Sequence, residues 1–154
     1  MTTIFTQYFL PCFWAFLACI GFCVLFDIHG FGIVLTSLGG SLGWLAYLLA
    51  GALGCGIGFS AFIAGVFIAA YAEVMARIRK CPASGYLLIA FFPLVPGAGL
   101  FYTMKHYLAG NNAAFLEAAR SALSMAGGLA LGVLLVSSLM RMYTNYAASR
   151  RSSR

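Results

Sequence analysis

Uncharged apolar runs alternate with short polar clusters along this chain. Residues 1–26, 28–72, 81–104 and 121–140 contain no Asp, Glu, Lys or Arg. A bilayer core of about 30 Å is crossed by about 20 apolar residues in a helix, and the second run is long enough for two passes. The pattern predicts an all-α, polytopic integral membrane protein with about five transmembrane helices. Their expected positions are about 4–26, 33–50, 54–76, 86–108 and 113–146, within one transmembrane domain over residues 1–146. Residues 147–154 read as a basic cytoplasmic tail, disordered from Ser149 onward. Between the runs, Asp27-Ile28-His29-Gly30 reads as a turn, Pro82 and Gly85 close a basic turn, and Gly110-Asn111-Asn112 makes a third with Asn112 as the helix N-cap. The second pass holds Gly39, Gly40 and Gly43, so it can be a full crossing or a re-entrant hairpin. Five crossings place the N-terminus outside and the C-terminus inside; four place both inside. The first run lacks a basic flank and is longer than a signal-peptide core, so it reads as a retained helix.

Composition sharpens this picture by exclusion. Apolar residues make up 63% of the chain and charged residues 8%, with a mean hydropathy of +0.98. Soluble domains carry about a quarter charged residues, so a water-soluble globule is excluded. The net charge of +6 does not point to nucleic acid, because the basic residues lie in short clusters just outside apolar spans, without interleaved aromatics. Arg77, Arg79, Lys80, Arg141, Arg150, Arg151 and Arg154 fall at one end of the predicted bundle; Lys105 and Arg120 fall at the other. That asymmetry is the positive-inside pattern and predicts a cytoplasmic C-terminus. Cys12, Cys19 and Cys23 lie near one face of the first helix and read as packing residues. Cys81, beside Lys80, reads as chemically accessible. No nucleophile–base pair, phosphate-binding glycine loop or metal-ligand spacing is present. The expectation is a protein with no catalytic residues, no metal and no cofactor.

Small residues mark the helix contacts. Gly39 and Gly43 form a small-xxx-small pair that lets backbones approach within lipid. Gly54, Gly58, Ala61, Gly65 and Ala69 read as one stripe on the third helix; Ser121, Ser124, Gly128 and Gly132 read as a second stripe on the last.

The chemistry concentrates between Phe91 and Thr103. Pro93 and Pro96 each remove a donor and clash with a preceding carbonyl, and Gly97 and Gly99 add backbone freedom. The sequence predicts a helix unwound for about a turn near mid-membrane, where freed backbone groups must be buried in protein or line a wet cavity. Broken helices at this depth are how secondary transporters build solute sites. The half-helix after Pro96 would aim free N–H groups, from about Gly97 to Leu100, and the positive end of its dipole at the bilayer centre. A carboxylate fits there, with Tyr102 and Thr103 adding hydroxyls one turn on. The expected solute-binding residues are therefore Pro93, Pro96, Gly97, Gly99, Tyr102 and Thr103. Glu73 reads as a proton-coupling acid or as an i,i+4 salt bridge to Arg77. Asp27 reads as a turn cap or a second coupling acid. Lys105 reads as a snorkelling cation, His106 as incidental, and Trp44 and Tyr47 as interface anchors or a gate.

The stretch Phe92-Pro-Leu-Val-Pro-Gly-Ala-Gly-Leu-Phe-Tyr-Thr-Met104 resembles the signature of the threonine/serine exporter (ThrE) family. In layout, from about Val34 to Met142, the chain is similar to that family's small C-terminal-half-type (YjjB-like) subunit, and the glycines ending at Gly43-Trp44 resemble its second helix. The resemblance implies a proton-motive-force-driven exporter of a bacterial inner membrane, moving threonine, serine or dicarboxylates such as succinate. It also implies a partner: a larger five-helix subunit carrying the soluble extension that this sequence lacks, or further copies of the same chain. The basic C-terminal tail departs from the family pattern. The competing reading is a non-transporting membrane scaffold or accessory subunit, packed through its glycine stripes.

Overall fold

The structure, a computed structural model, describes residues 5–80 and 82–152. Every regular element among them is helical. A π-helical turn at Phe5–Phe9 leads into α1 (Leu10–Leu25), with Pro11 in its first turn where a missing N–H is tolerated. There follow α2 (Gly32–Ala52), α3 (Ile57–Arg79), α4 (Ala83–Phe91), a 3₁₀ turn (Phe92–Leu94), α5 (Gly97–Leu108) and α6 (Asn112–Ser152). Four helices are long and apolar enough to cross a membrane; α4 and α5, bent by 45° at their break, make a fifth span when taken together. The glycines of the second pass do not split it, and α2 is one continuous helix.

Three helices end in the same way. After α1, Ile28 N–H donates to Cys23 O and Asp27 N–H to Val24 O; after α2, Cys55 donates to Ala50 O and Gly54 to Gly51 O; after α5, Asn111 donates to His106 O and Gly110 to Tyr107 O. Each is a Schellman closure, which needs a left-handed residue after the helix: Asp27 (φ 57), Gly54 (φ 83) and Gly110 (φ 70). This corrects the reading of Gly54. It is a turn residue with open space around its Cβ position, not a member of the α3 packing stripe, because α3 begins only at Ile57. The N-cap of α6 also moves by one residue. Asn111 Oδ1 accepts the Ala114 N–H at 3.2 Å, so Asn111 is the cap and Asn112 the first helical residue. At the far end, the helical backbone of α6 runs on to Ser152 where the sequence suggested disorder from Ser149; the segment after Gly132 contains neither Gly nor Pro to stop it.

The two small-residue stripes meet each other. A Cβ at Gly128 would strike Gly58 O, one at Gly132 would lie 2.5 Å from Phe62 O, and one at Gly65 would lie 2.8 Å from Leu129 O. The α3 and α6 backbones therefore touch along Gly58, Gly65, Gly128 and Gly132, as van der Waals packing in lipid favours. Gly39 and Gly43 work differently. They open holes in α2 that side chains of α3 fill, Tyr71 at Gly39 and Ile68 at Gly43. The hole at Gly39 lets the Tyr71 hydroxyl donate to Leu35 O at 2.7 Å. On the other side, Gly40 takes Cys19 of α1 and the Ala90 backbone of α4, and Ser41 Oγ donates to Cys12 O at 2.9 Å. The order across the bundle is α1, α2 and α4, α3, then α6, with α5 resting on α6.

Candidate functional site

The break is built by its prolines. Pro93 cannot donate to Ile89 O, which instead accepts the Phe92 N–H and, from α1, the Cys19 thiol at 3.6 Å. Pro96 cannot donate to Phe92 O, which takes the Val95 N–H at 3.2 Å. Val95 is extended (φ −63, ψ 128), as a residue before proline prefers. Pro96 (φ −75, ψ 53) forms an inverse γ-turn closed by Gly97 N–H to Val95 O at 2.7 Å. The first α5 hydrogen bond then runs from Leu100 N–H to Pro96 O at 3.0 Å. Of the four N–H groups expected to be free, Gly97 and Leu100 are thus engaged, and Ala98 and Gly99 have no backbone acceptor among the described residues.

One side of the break is sealed. Leu94 is fully buried in a cluster with Ala61, Ala64, Ile68, Ala90 and Leu129, and Trp44 and Tyr47 pack against it. Phe92 stacks on Phe22 of α1 with ring centroids 4.0 Å apart. Gly99 lies against Ala122 of α6. The other side is open. Gly97 has nothing within 4 Å of its Cβ position, α5 buries no residue, and Leu100, Phe101 and Tyr102 are each more than half exposed. Thr103 spends its hydroxyl on Gly99 O at 2.8 Å, one turn back in its own helix. Pro93, Pro96, Gly97 and Gly99 therefore all fall between the 3₁₀ turn and the first turn of α5, and of the two expected hydroxyls that of Thr103 is spent on Gly99 O.

Two residues gained roles that the sequence did not show. Cys19, read as packing, supplies the second donor to the carbonyl released by Pro93. The signal available was indirect: an unwound helix needs donors from a neighbour, and α1 has thiols on its inner face. Trp44 carries a buried indole N–H with no acceptor among the described residues, beside the cluster that holds Leu94. An unpaired buried donor costs about 1–3 kcal/mol. Replacing Cys19 by Ala is expected to lower stability by about 1–2 kcal/mol, through a lost hydrogen bond and a small void. Cys19→Ser should lose less, and thermal unfolding in detergent measures both.

The two candidate coupling acids, Glu73 and Asp27, form no hydrogen bond or ion pair with the break among the described residues. Glu73 is half-buried near the end of α3 and forms no ion pair with Arg77. Arg77 instead places Nη2 3.5 Å from Met140 Sδ and its guanidinium 5.7 Å from the Tyr143 ring, both on α6. An exposed ion pair is worth under about 1 kcal/mol, and contacts with sulfur and an aromatic face outweigh it here. Asp27 is 92% exposed, with Oδ1 3.5 Å from His29 Nε2, and its carbonyl accepts from His29 Nδ1 at 2.9 Å. Cys81 lies outside the described residues.

A bundle of membrane-length helices with one span broken at a Pro-x-x-Pro-Gly-x-Gly turn defines an all-α, multi-pass membrane protein. The profile of the family described as Threonine/Serine exporter, ThrE, matches residues 11–139, and the chain belongs to that family. No curated protein and no solved structure matches it.

Proposed function

We propose that this chain is a subunit of a secondary exporter of small carboxylate-bearing solutes, of the threonine/serine or dicarboxylate type, driven by the proton-motive force. The observation that carries this reading is the one-sided break. Ala98 and Gly99 N–H groups have no backbone acceptor among the described residues at the start of α5, and the face beside them, at Gly97 and Leu100, is left open by those residues. Backbone groups in that state at membrane depth need protein or a wet cavity against them. The site is then half of a solute pocket, completed by a partner: a larger subunit of the same family, or another copy. Glu73, a half-buried acid within a span, is the coupling acid in this scheme, and Asp27, fully solvated in its turn, fits that role less well.

In the proposed topology the basic end of the bundle, with the C-terminus, is cytoplasmic, and the membrane is the bacterial inner membrane. A membrane-impermeant thiol reagent applied to intact cells should label Asn111→Cys and leave Ser152→Cys unlabelled. The reverse pattern would overturn the topology. The scaffold reading is separated by export measurements, because a scaffold's glycine stripes matter and its helix break does not.

A further inference from the structure

A cavity lies at the other end of α4. It measures about 420 Å³ and opens at the basic end of the bundle, where the α1–α2 turn and the ends of α2, α3 and α4 converge. Small-molecule sites commonly enclose about 300–1,000 Å³. Its lining includes His29, Gly32, Arg79, Ser84, Gly85 and Tyr86. Arg79 has no carboxylate partner among the described residues; its guanidinium lies 5.9 Å from the centroid of the Phe31 ring. Neither Asp27, which faces His29, nor Glu73, which precedes Arg79 on α3, lines the cavity. Arg79 brings a positive charge to the space, and no carboxylate lines it.

The glycines here differ from those of the helix seams. A Cβ at Gly85 would meet only Ile28 Cδ1 at 3.9 Å, and one at Gly32 would meet Ile28 Cγ2 at 3.4 Å and Tyr86 Oη at 3.9 Å. Both are ordinary contacts, and neither residue has a positive φ. Packing does not demand glycine at these positions; its absence of side chain keeps the cavity open. Ser84 and Gly85 also belong to the first turn of α4, whose N-cap is Pro82 and which no side chain caps. The N–H groups of such a turn lack intrahelical partners and add to the pull on an anion. The same half-helix, about 14 Å long at 1.5 Å per residue, ends at the break.

We propose that this cavity is the loading site for the outgoing solute, in which Arg79 and the first turn of α4 hold its carboxylate before it moves along α4 to the break. The proposal rests on the exporter reading above, and it adds a second, cytoplasm-facing site to it. Inside-out membrane vesicles expose this end. Ser84→Cys, in a background with Cys55 and Cys81 replaced by Ala, is labelled there with a charged maleimide in the presence of succinate or L-threonine. One of these probes is expected to slow labelling at least threefold. Arg79→Gln should abolish the protection, Arg79→Lys should retain part of it, and Gly85→Leu, which fills the cavity without touching a helix seam, should remove it in a normally folded protein. Adding Gly97→Leu should leave the protection intact while export fails, which separates loading from the break. If export of a probe is demonstrated and that probe gives no protection, or if protection survives Arg79→Gln, the loading site is wrong while the exporter reading stands. If labelling in proteoliposomes follows the phosphatidylglycerol content and ignores both probes, the cavity holds a lipid headgroup and the proposal is overturned.

Discussion

Export by a Pro96→Ala, Gly97→Leu double variant is expected to fall at least about tenfold, with the protein still present in the membrane in normal amount. A hydrogen bond to a charged group is worth roughly 1.5–3 kcal/mol, and a loss of about 1.4 kcal/mol is tenfold in affinity. Alanine at 96 restores an N–H and permits the helical hydrogen bond to Phe92 O that proline forbids. The γ-turn closed by Gly97 and Val95 then gives way to helix, and the free N–H groups of Ala98 and Gly99 gain carbonyl acceptors. A Cβ at 97 meets no heavy atom within 4 Å among the described residues, so leucine there starts into open space. It would project into the space where the proposed solute or the partner's surface must come. Glu73→Gln should leave solute binding unchanged and alter the pH dependence of export. The check is export per unit of membrane-inserted protein. Normal export by the double variant would overturn the site and return the Pro-Gly segment to a packing kink.

The opposite result is expected at Gly132. Leucine there should destabilise the bundle by about 3 kcal/mol or more, at the upper end of overpacking costs. The obstacle is backbone, not a flexible side chain: Phe62 O lies 2.5 Å and Val66 N 2.8 Å from the Cβ position. Backbone atoms held in two helices cannot turn aside, so α3 and α6 must separate. Because α5 rests on α6, the break would lose its support as well. Thermal unfolding in detergent, compared with Gly97→Leu, gives the test. A Gly132→Leu variant as stable as Gly97→Leu would contradict the seam. The pair of variants also distinguishes a glycine that permits contact from one that preserves space.

Gly54 and Gly39 show where reading the sequence stops. Both fit a small-residue spacing, yet Gly54 serves a positive-φ helix end and Gly39 a hole for Tyr71. Spacing places residues on one face of a helix but does not say whether a backbone, a side chain or nothing will meet that face. The Glu73–Arg77 pairing fails for the same reason. Local spacing permits it, but the sulfur and ring offered to Arg77 come from α6, more than sixty residues on.

At the candidate site the location was legible and the chemistry only in part. Two prolines three apart leave no way to continue a helix, so the unwinding at 92–96 follows from the covalent structure of proline itself. Which N–H groups stay free did not follow, because the γ-turn at Pro96 and the onset of α5 depend on how the two halves orient. The roles of Cys19 and Trp44 lay further out of reach, since each depends on a neighbour distant in sequence.

The sequence by itself determined that this chain is an all-α, multi-pass membrane protein and which of its helices breaks. These properties depend on apolar run length and backbone chemistry, which are local. Only the tertiary structure decided that the α3 and α6 stripes interlock, that the break is sealed on its inner side and open on the other, and that Arg79 meets the start of α4 around a cavity. Such facts depend on which helix faces which, and in lipid, where every face is apolar, that choice rests on the fit of small residues against particular backbones.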